Sequence, residues 1–148
     1  MNLETYPIEN PDPLIFTFVS KGKKGNIEKI VRYDLIEDGV YNLAFGDLNT
    51  EHSDFDDSSV SDNGDIIKVM ATVIQTMPLF FEKHPQKKVS FEGSDKKRTN
   101  FYGWIIGKNI LNWQDIYYIV GGFENGKIEA FRKGVDYAYF LIAKKEKK

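Results

Sequence analysis

Apolar and polar positions alternate along the first third of the chain. Residues 14–20 (LIFTFVS) are rich in phenylalanine and β-branched side chains at period two, which suits a strand. Residues 21–25 (KGKKG) form a glycine-bracketed turn. Residues 26–35 (NIEKIVRYDL) place Ile27, Lys29, Val31 and Tyr33 on one face and Glu28, Ile30, Arg32 and Asp34 on the other. That split is imperfect, since a lysine shares the apolar side, but a hairpin with the first strand is predicted. Glu37-Asp38-Gly39 turns the chain again. Residues 40–46 (VYNLAFG) then give a third strand with Tyr41, Leu43 and Phe45 together. The three read as an antiparallel meander.

After residue 65 the period lengthens. Ile66, Met70, Val73, Met77 and Phe80 recur at helical spacing, with Ile67, Ile74 and Phe81 beside them. Asp62 or Asn63 suits the N-cap, Asp65 suits the positive helix start, and Pro78 should kink or shorten the helix before His84-Pro85 ends it. The wide stripe lays this helix against the sheet. Residues 87–92 (KKVSFE) form a short strand. Gly93-Ser94-Asp95 then turns into a second helix over roughly 95–108, with Phe101, Tyr102, Ile105 and Ile106 as its stripe. Gly103 and Gly107 weaken that helix, and Asn109 is a natural stop. Residues 115–120 (DIYYIV) and 127–132 (KIEAFR) pair around Glu124-Asn125-Gly126, and Gly121-Gly122 reads as a turn. Residues 137–144 (YAYFLIAK) fit a final strand or a helix, and 144–148 are a charged tail. The order β-β-β-α-β-α-β-β-(β) predicts an α+β fold: a mainly antiparallel sheet of about six strands with two helices packed on it.

Composition narrows the function classes. The 148 residues suit a single domain over 1–148, and 41% apolar with 14% aromatic residues supply a real core. A net charge of -2 with 28% charged residues excludes a wholly basic nucleic-acid coat and a mostly disordered chain. No apolar run approaches the roughly 18 residues of a membrane span, and the amino terminus has no secretory pattern. The absence of cysteine excludes disulfides and thiolate chemistry, and a cytoplasmic location is expected.

The charge is segregated. Residues 47–65 (DLNTEHSDFDDSSVSDNGD) hold seven acids, Asp47, Glu51, Asp54, Asp56, Asp57, Asp62 and Asp65, and no Lys or Arg. That leaves 15 acids against 20 bases elsewhere, so a basic body carries an acidic loop. The loop is expected to be solvated, with a protein partner as the alternative use. Its acids lack the EF-hand register, and His52 and His84 lack metal-ligand spacing, so no metal and no cofactor are expected. No nucleophile elbow, P-loop or dinucleotide fingerprint is present.

The most informative stretch is VSFEGSDKKRTNFY, residues 89–102. A strand runs through Gly93-Ser94 into a helix whose first turns carry Lys96, Lys97, Arg98 and Thr99. Free N–H groups there attract anions, glycine admits a ligand to the backbone, and Arg98 offers a bidentate fork. A basic first turn opposes the helix dipole, which favours a functional reading over simple capping by Ser94 or Asp95. Lys21, Lys23 and Lys24 form a second basic patch suited to a nucleic-acid backbone, or simply to blunting a strand edge.

YNLAFGDLN, NGDIIKVMATV and VSFEGSDKKRTNFYGWII together resemble a family of small uncharacterised proteins found mainly in Bacteroidetes, over about residues 3–143. The specific part is F-x-G-S-x-x-x-R-T-x-x-Y, here Phe91, Gly93, Ser94, Arg98, Thr99 and Tyr102. The resemblance implies a domain of unknown function and carries over no established activity. Small size and a basic body are similar to the toxins of two-gene toxin–antitoxin pairs, by analogy alone. Two readings follow. In the first, Gly93, Ser94, Lys96, Lys97, Arg98, Thr99 and Tyr102 bind a phosphate-bearing ligand or RNA, and Lys21, Lys23 and Lys24 extend the track. If a bond is cut, Arg98 would stabilise charge and Tyr102 move a proton, though no general base stands out. In the second, the acidic loop and an aromatic sheet dock a protein partner without catalysis; self-association through an edge strand is a third possibility. No membrane contact is expected.

Overall fold

A computed structural model describes residues 3–49, 54–56, 64–93 and 95–146. The period-two segments become strands β1 (Glu9–Asp12), β2 (Ile15–Gly22), β3 (Gly25–Glu37), β4 (Val40–Asn49), β5 (Asp54–Asp56), β6 (Lys88–Phe91), β7 (Tyr117–Gly122), β8 (Ile128–Ala130) and β9 (Tyr139–Lys144). The helices are α1 (Ile66–Lys83), between β5 and β6, and α2 (Lys96–Trp113), between β6 and β7. Eight strands run in the order β1-β2-β3-β4-β6-β9-β7-β8, and β5 pairs with β4 off that path. Among the described residues every pairing is antiparallel except β4 with β6, which are joined by the crossover through α1. The last strand, β9, lies between β6 and β7.

The mixed α+β class and the two helices agree with the pattern; the strand count of about six does not. The stretch ENPD has no alternation to detect, because all four of its residues are exposed on an edge strand. Inside the acidic segment, Asp47↔Asp56 and Asn49↔Asp54 pair as β4 with β5, so part of the expected loop is a ladder. The ambiguous final segment is a strand. Pro78 stands inside α1, which continues to Lys83. The N-cap of α1 is Asp65; the expected caps Asp62 and Asn63 lie outside the described residues. The second helix runs past Asn109 to Trp113. Packing offsets its glycines: a Cβ on Gly103 would sit 3.1 Å from Phe140 Cζ. Gly121-Gly122 is the end of β7, not a turn. A Cβ at either position would overlap the ring of Tyr137 or Tyr139, so the missing side chains make room for two aromatic rings.

Both helices cover one sheet face. Phe16, Phe18, Val31, Tyr33, Leu43 and Phe45 meet Val73, Met77 and Phe80 of α1, while Phe91, Phe140 and Ile142 belong to the same core as Ile105 and Ile106 of α2. Tyr33 stacks on Phe80 at 4.4 Å and shares a 2.7 Å hydrogen bond with the Thr76 hydroxyl. The lysine that spoiled the β3 face, Lys29, is 1% exposed and pairs with Asp47 directly across the β3–β4 ladder. Among the described residues, no helix is long and apolar enough to cross a membrane.

Candidate functional site

The passage from β6 into α2 is built by short-range hydrogen bonds. The Asp95 carboxylate accepts the Arg98 N–H at 2.8 Å, which makes Asp95 a cap for the helix. The Thr99 hydroxyl donates to the Asp95 carbonyl at 3.0 Å and accepts the Gly93 N–H at 2.9 Å. A Cβ on Gly93 would stand 2.7 Å from both Arg98 Cβ and the Thr99 nitrogen. The glycine is therefore needed so that the helix backbone itself can approach, and Thr99, 3% exposed, is spent on fixing the turn. Lys96 and Lys97 are exposed and Arg98 is half-buried. Ser94 lies outside the described residues. Tyr102 is 6% exposed, with its ring stacked on Phe91 at 4.4 Å and tilted against Phe45 at 5.7 Å.

The turn sits beside a gap in the sheet. β4 and β6 pair only through Val40↔Lys88, Tyr41↔Val89 and Asn42↔Ser90. Beyond those three pairs a crevice of about 230 Å³ opens, lined by Asn42, Phe45, Phe91, Glu92, Gly93 and Tyr102 among others. It lies at the carboxyl ends of the one parallel pair, where open sheets with helical crossovers place ligands. On the other side of Gly93, a hollow of about 640 Å³ is lined by Glu92, Asp95, Glu124 and Asp136 against Lys96. Four carboxylates facing one amine make that side unfavourable for an anion.

The second basic patch is a two-residue hairpin. Gly22 pairs with Gly25, whose φ of 90° only glycine takes readily, and Lys23-Lys24 form the tip. The Lys23 stem passes Gly64, whose Cβ position is 3.5 Å from Lys23 Cδ. Because Lys29 near the start of β3 pairs with Asp47 near the end of β4, this hairpin lies at the same end of the sheet as the carboxyl ends of β4 and β6. Sideways, three strand spacings of ~4.8 Å put β2 about 15 Å from β6, and the register places the hairpin a further eight residues, roughly 26 Å, along the strands beyond the end of β6.

Two acids of the acidic segment serve the fold. Asp47 pairs with Lys29. Asp65 accepts the Ser20 hydroxyl at 2.5 Å and the Tyr6 hydroxyl, tying the amino-terminal segment and β2 to the start of α1. Burial first, and then the Asp65 carboxylate, push the Tyr6 phenol above its ordinary range. Glu51, His52, Asp57 and Asp62 lie outside the described residues. His84 caps α1 at its carboxyl end and stacks on Phe80 at 4.7 Å. Among the described residues, no group of three or more His, Asp or Glu could hold a metal ion. The aromatic side chains expected to dock a partner instead lie largely under the helices.

Asn42, Phe45 and Glu92, which line the crevice, carry no local signal in the sequence. They meet there through a parallel pairing of segments more than 40 residues apart. Neither a curated protein nor a solved structure matches the chain. The turn motif and both halves of the sheet fall within residues 2–145, which match the model of a family of unknown function (DUF6934), and the chain belongs to that family.

Proposed function

We propose that the domain binds a phosphate-bearing ligand, and specifically RNA, at the amino end of α2. The observation that carries this reading is a first helical turn of Lys96, Lys97 and Arg98, with no acid in it, beside the crevice where β4 and β6 part. Lys97, Arg98 and, from the border of the acidic hollow, Lys96 contact phosphate, and the partial positive charge of the helix start adds to theirs. Gly93 and Thr99 hold the turn in shape, Ser94 contributes a hydroxyl, and Tyr102 is the crevice wall. The Lys21, Lys23 and Lys24 hairpin, at the same end of the sheet, extends the track along a strand of nucleic acid. The carboxylates of Asp95, Glu124 and Asp136 keep phosphate off the opposite flank. No group is assigned to bond cleavage.

The test is binding of a mixed RNA pool across a salt series, with wild type beside Lys96→Ala/Lys97→Ala/Arg98→Ala. Each phosphate contact in a single strand contributes about 0.7 to the slope of log affinity against log salt, so the triple variant should lose about 2 units of slope. Equal slopes, or no binding at low salt, would overturn the proposal. In that event function moves to a protein partner at residues 47–65, checked by capture with residues 50–63 deleted.

A further inference from the structure

The flank of α2 that faces away from the crevice carries a groove the proposal above does not use. Asn100, Gly103, Trp104, Gly107 and Lys108 follow one another at helical spacing along it, and Phe131, Lys133, Val135 and Asp136 form the opposite wall. Its volume is about 280 Å³. That is near the lower edge of small-molecule sites, roughly 300–1,000 Å³. It has room for one planar ring and its substituents, not for a strand or a helix.

Three observations describe what would fit. Trp104 is 45% exposed, whereas Trp113 on the same helix is 5% exposed, so one indole is kept at the surface, stacked on Phe101 at 5.9 Å and across the groove from the half-buried Phe131. The Asn100 Oδ1 is buried and has no hydrogen-bond partner. A buried acceptor is normally satisfied, and this one belongs to a residue of the groove wall, closed to water until a side-chain shift opens it to the groove. Two amines stand at the far end: Lys108 Nζ lies 5.0 Å from the centre of the Trp104 ring, and the Lys133 stem crosses Gly107, with Cγ 3.3 Å from its Cβ position. One end of the groove therefore accepts hydrogen bonds, through Asn100 and the Asp136 carboxylate, and the other is cationic. Helical rise separates Asn100 from Lys108 by about 12 Å, the reach of one base with its ribose and phosphate.

We infer that this groove binds a single nucleotide, with the base against Trp104 and Phe131, a base N–H donating to Asn100 Oδ1, and the phosphate held by Lys108 and Lys133. Base–aromatic stacking beside basic side chains is how proteins take unpaired nucleotides. Two neighbouring acceptors favour an edge with several donors. Guanine presents N1–H and an amino group side by side, while uracil presents one N–H. The same chemistry is offered by a free nucleotide and by an unpaired residue in a single strand. The groove residues are different from those of the RNA proposal, so either can fail alone.

Calorimetric titration of the wild-type chain with GMP, UMP, guanosine and inorganic phosphate tests the inference, alongside Trp104→Ala, Asn100→Ala and Lys108→Ala/Lys133→Ala. The expected result is saturable GMP binding, weakened roughly tenfold by loss of the Asn100 acceptor. UMP should bind more weakly, phosphate alone should not bind, and the double lysine variant should lose affinity for GMP but not for guanosine. Asn100→Ala should fold at least as stably as wild type, because it removes an unsatisfied group; a merely structural asparagine would leave GMP affinity unchanged. GMP binding supports a free nucleotide as ligand. Binding of a guanosine-containing oligonucleotide but not GMP, with loss in Trp104→Ala, supports a nucleotide within a strand. No saturable binding of either, or binding indifferent to Trp104 and Asn100, overturns the inference. Lys96→Ala/Lys97→Ala/Arg98→Ala should leave GMP affinity intact, and Trp104→Ala should leave the salt slope of RNA binding largely intact.

Discussion

Replacing Lys29 by methionine keeps the length and apolar stem of the side chain and removes its charge. Lys29 is 1% exposed, and its partner Asp47 is 20% exposed. Phe18 flanks Lys29 on β2 and Asp47 flanks it on β4, so the amine sits within the sheet's covered face. Removing one member of a buried pair typically costs about 3–5 kcal/mol, because the remaining charge stays desolvated. Asp47 keeps some contact with water, so the expected loss for Lys29→Met is about 2–3 kcal/mol, at or below the lower end of that range. At about 2–4 °C per kcal/mol for a chain of this size, that is a fall in Tm of roughly 5–10 °C. Lys29→Met/Asp47→Leu leaves no unpaired charge and should return to within about 1 kcal/mol of wild type, since apolar replacement of a whole pair is often neutral. Urea unfolding of the wild type, both single variants and the double variant closes the cycle. Additive single effects, with a coupling below about 0.5 kcal/mol, would refute the claim that the two charges hold each other in place.

Gly122→Ala should destabilise by about 1–3 kcal/mol through overpacking, because its Cβ would enter the Tyr139 ring; Tyr139→Ser in the same chain should recover most of the loss in a thermal melt. Thr99→Val removes a donor to Asp95 and an acceptor from Gly93, and should cost about 1–3 kcal/mol while loosening the start of α2, read as faster amide exchange at Gly93 and Thr99. Burial holds the Tyr33 phenol far above its ordinary value of 10.0, so it stays protonated in the fold while the unfolded chain ionises. The unfolded state then binds fewer protons, and above about pH 10 stability should fall by up to about 1.4 kcal/mol per pH unit from this group. Tyr33→Phe should flatten that alkaline limb of the urea midpoint; an unchanged slope would contradict it.

The parts of the fold that were readable in the sequence are those whose neighbours are also near in the chain. The hairpin around Lys23-Lys24 and the meander to β4 follow from alternation and turn residues, and α1 follows from its stripe. Segments whose partners are distant gave weaker signals. The final YAYFLIAK stretch is nearly continuous in apolar residues because the outward positions of β9, Tyr139, Leu141 and Ala143, are half-buried too, which leaves period two blurred. Gly121-Gly122 reads as punctuation until Tyr137 and Tyr139 are seen to need the space. The candidate site divides the same way. The basic first turn of α2 was legible as charge, but whether Gly93 and Thr99 faced a ligand or their own helix was not. The answer depends on backbone geometry that side-chain chemistry does not specify. Asp47 and Asp65 were hidden among acids of identical type, and only their partners Lys29, Ser20 and Tyr6 set them apart.

The position of β9 also governs how the protein can emerge from the ribosome. Chain order supplies β6 with a free edge, then α2, then the β7–β8 hairpin, and the strand that joins those pieces is made after all of them. Until residue 144 has left the exit tunnel, the nascent chain holds the β1–β4 meander and α1 beside a β6 edge and a β7 edge with nothing between them. Unpaired edges of this kind invite pairing with other chains. A chain truncated before β9 would therefore present two open edges, and holdase chaperones should be recruited to it far more than to a chain that contains β9.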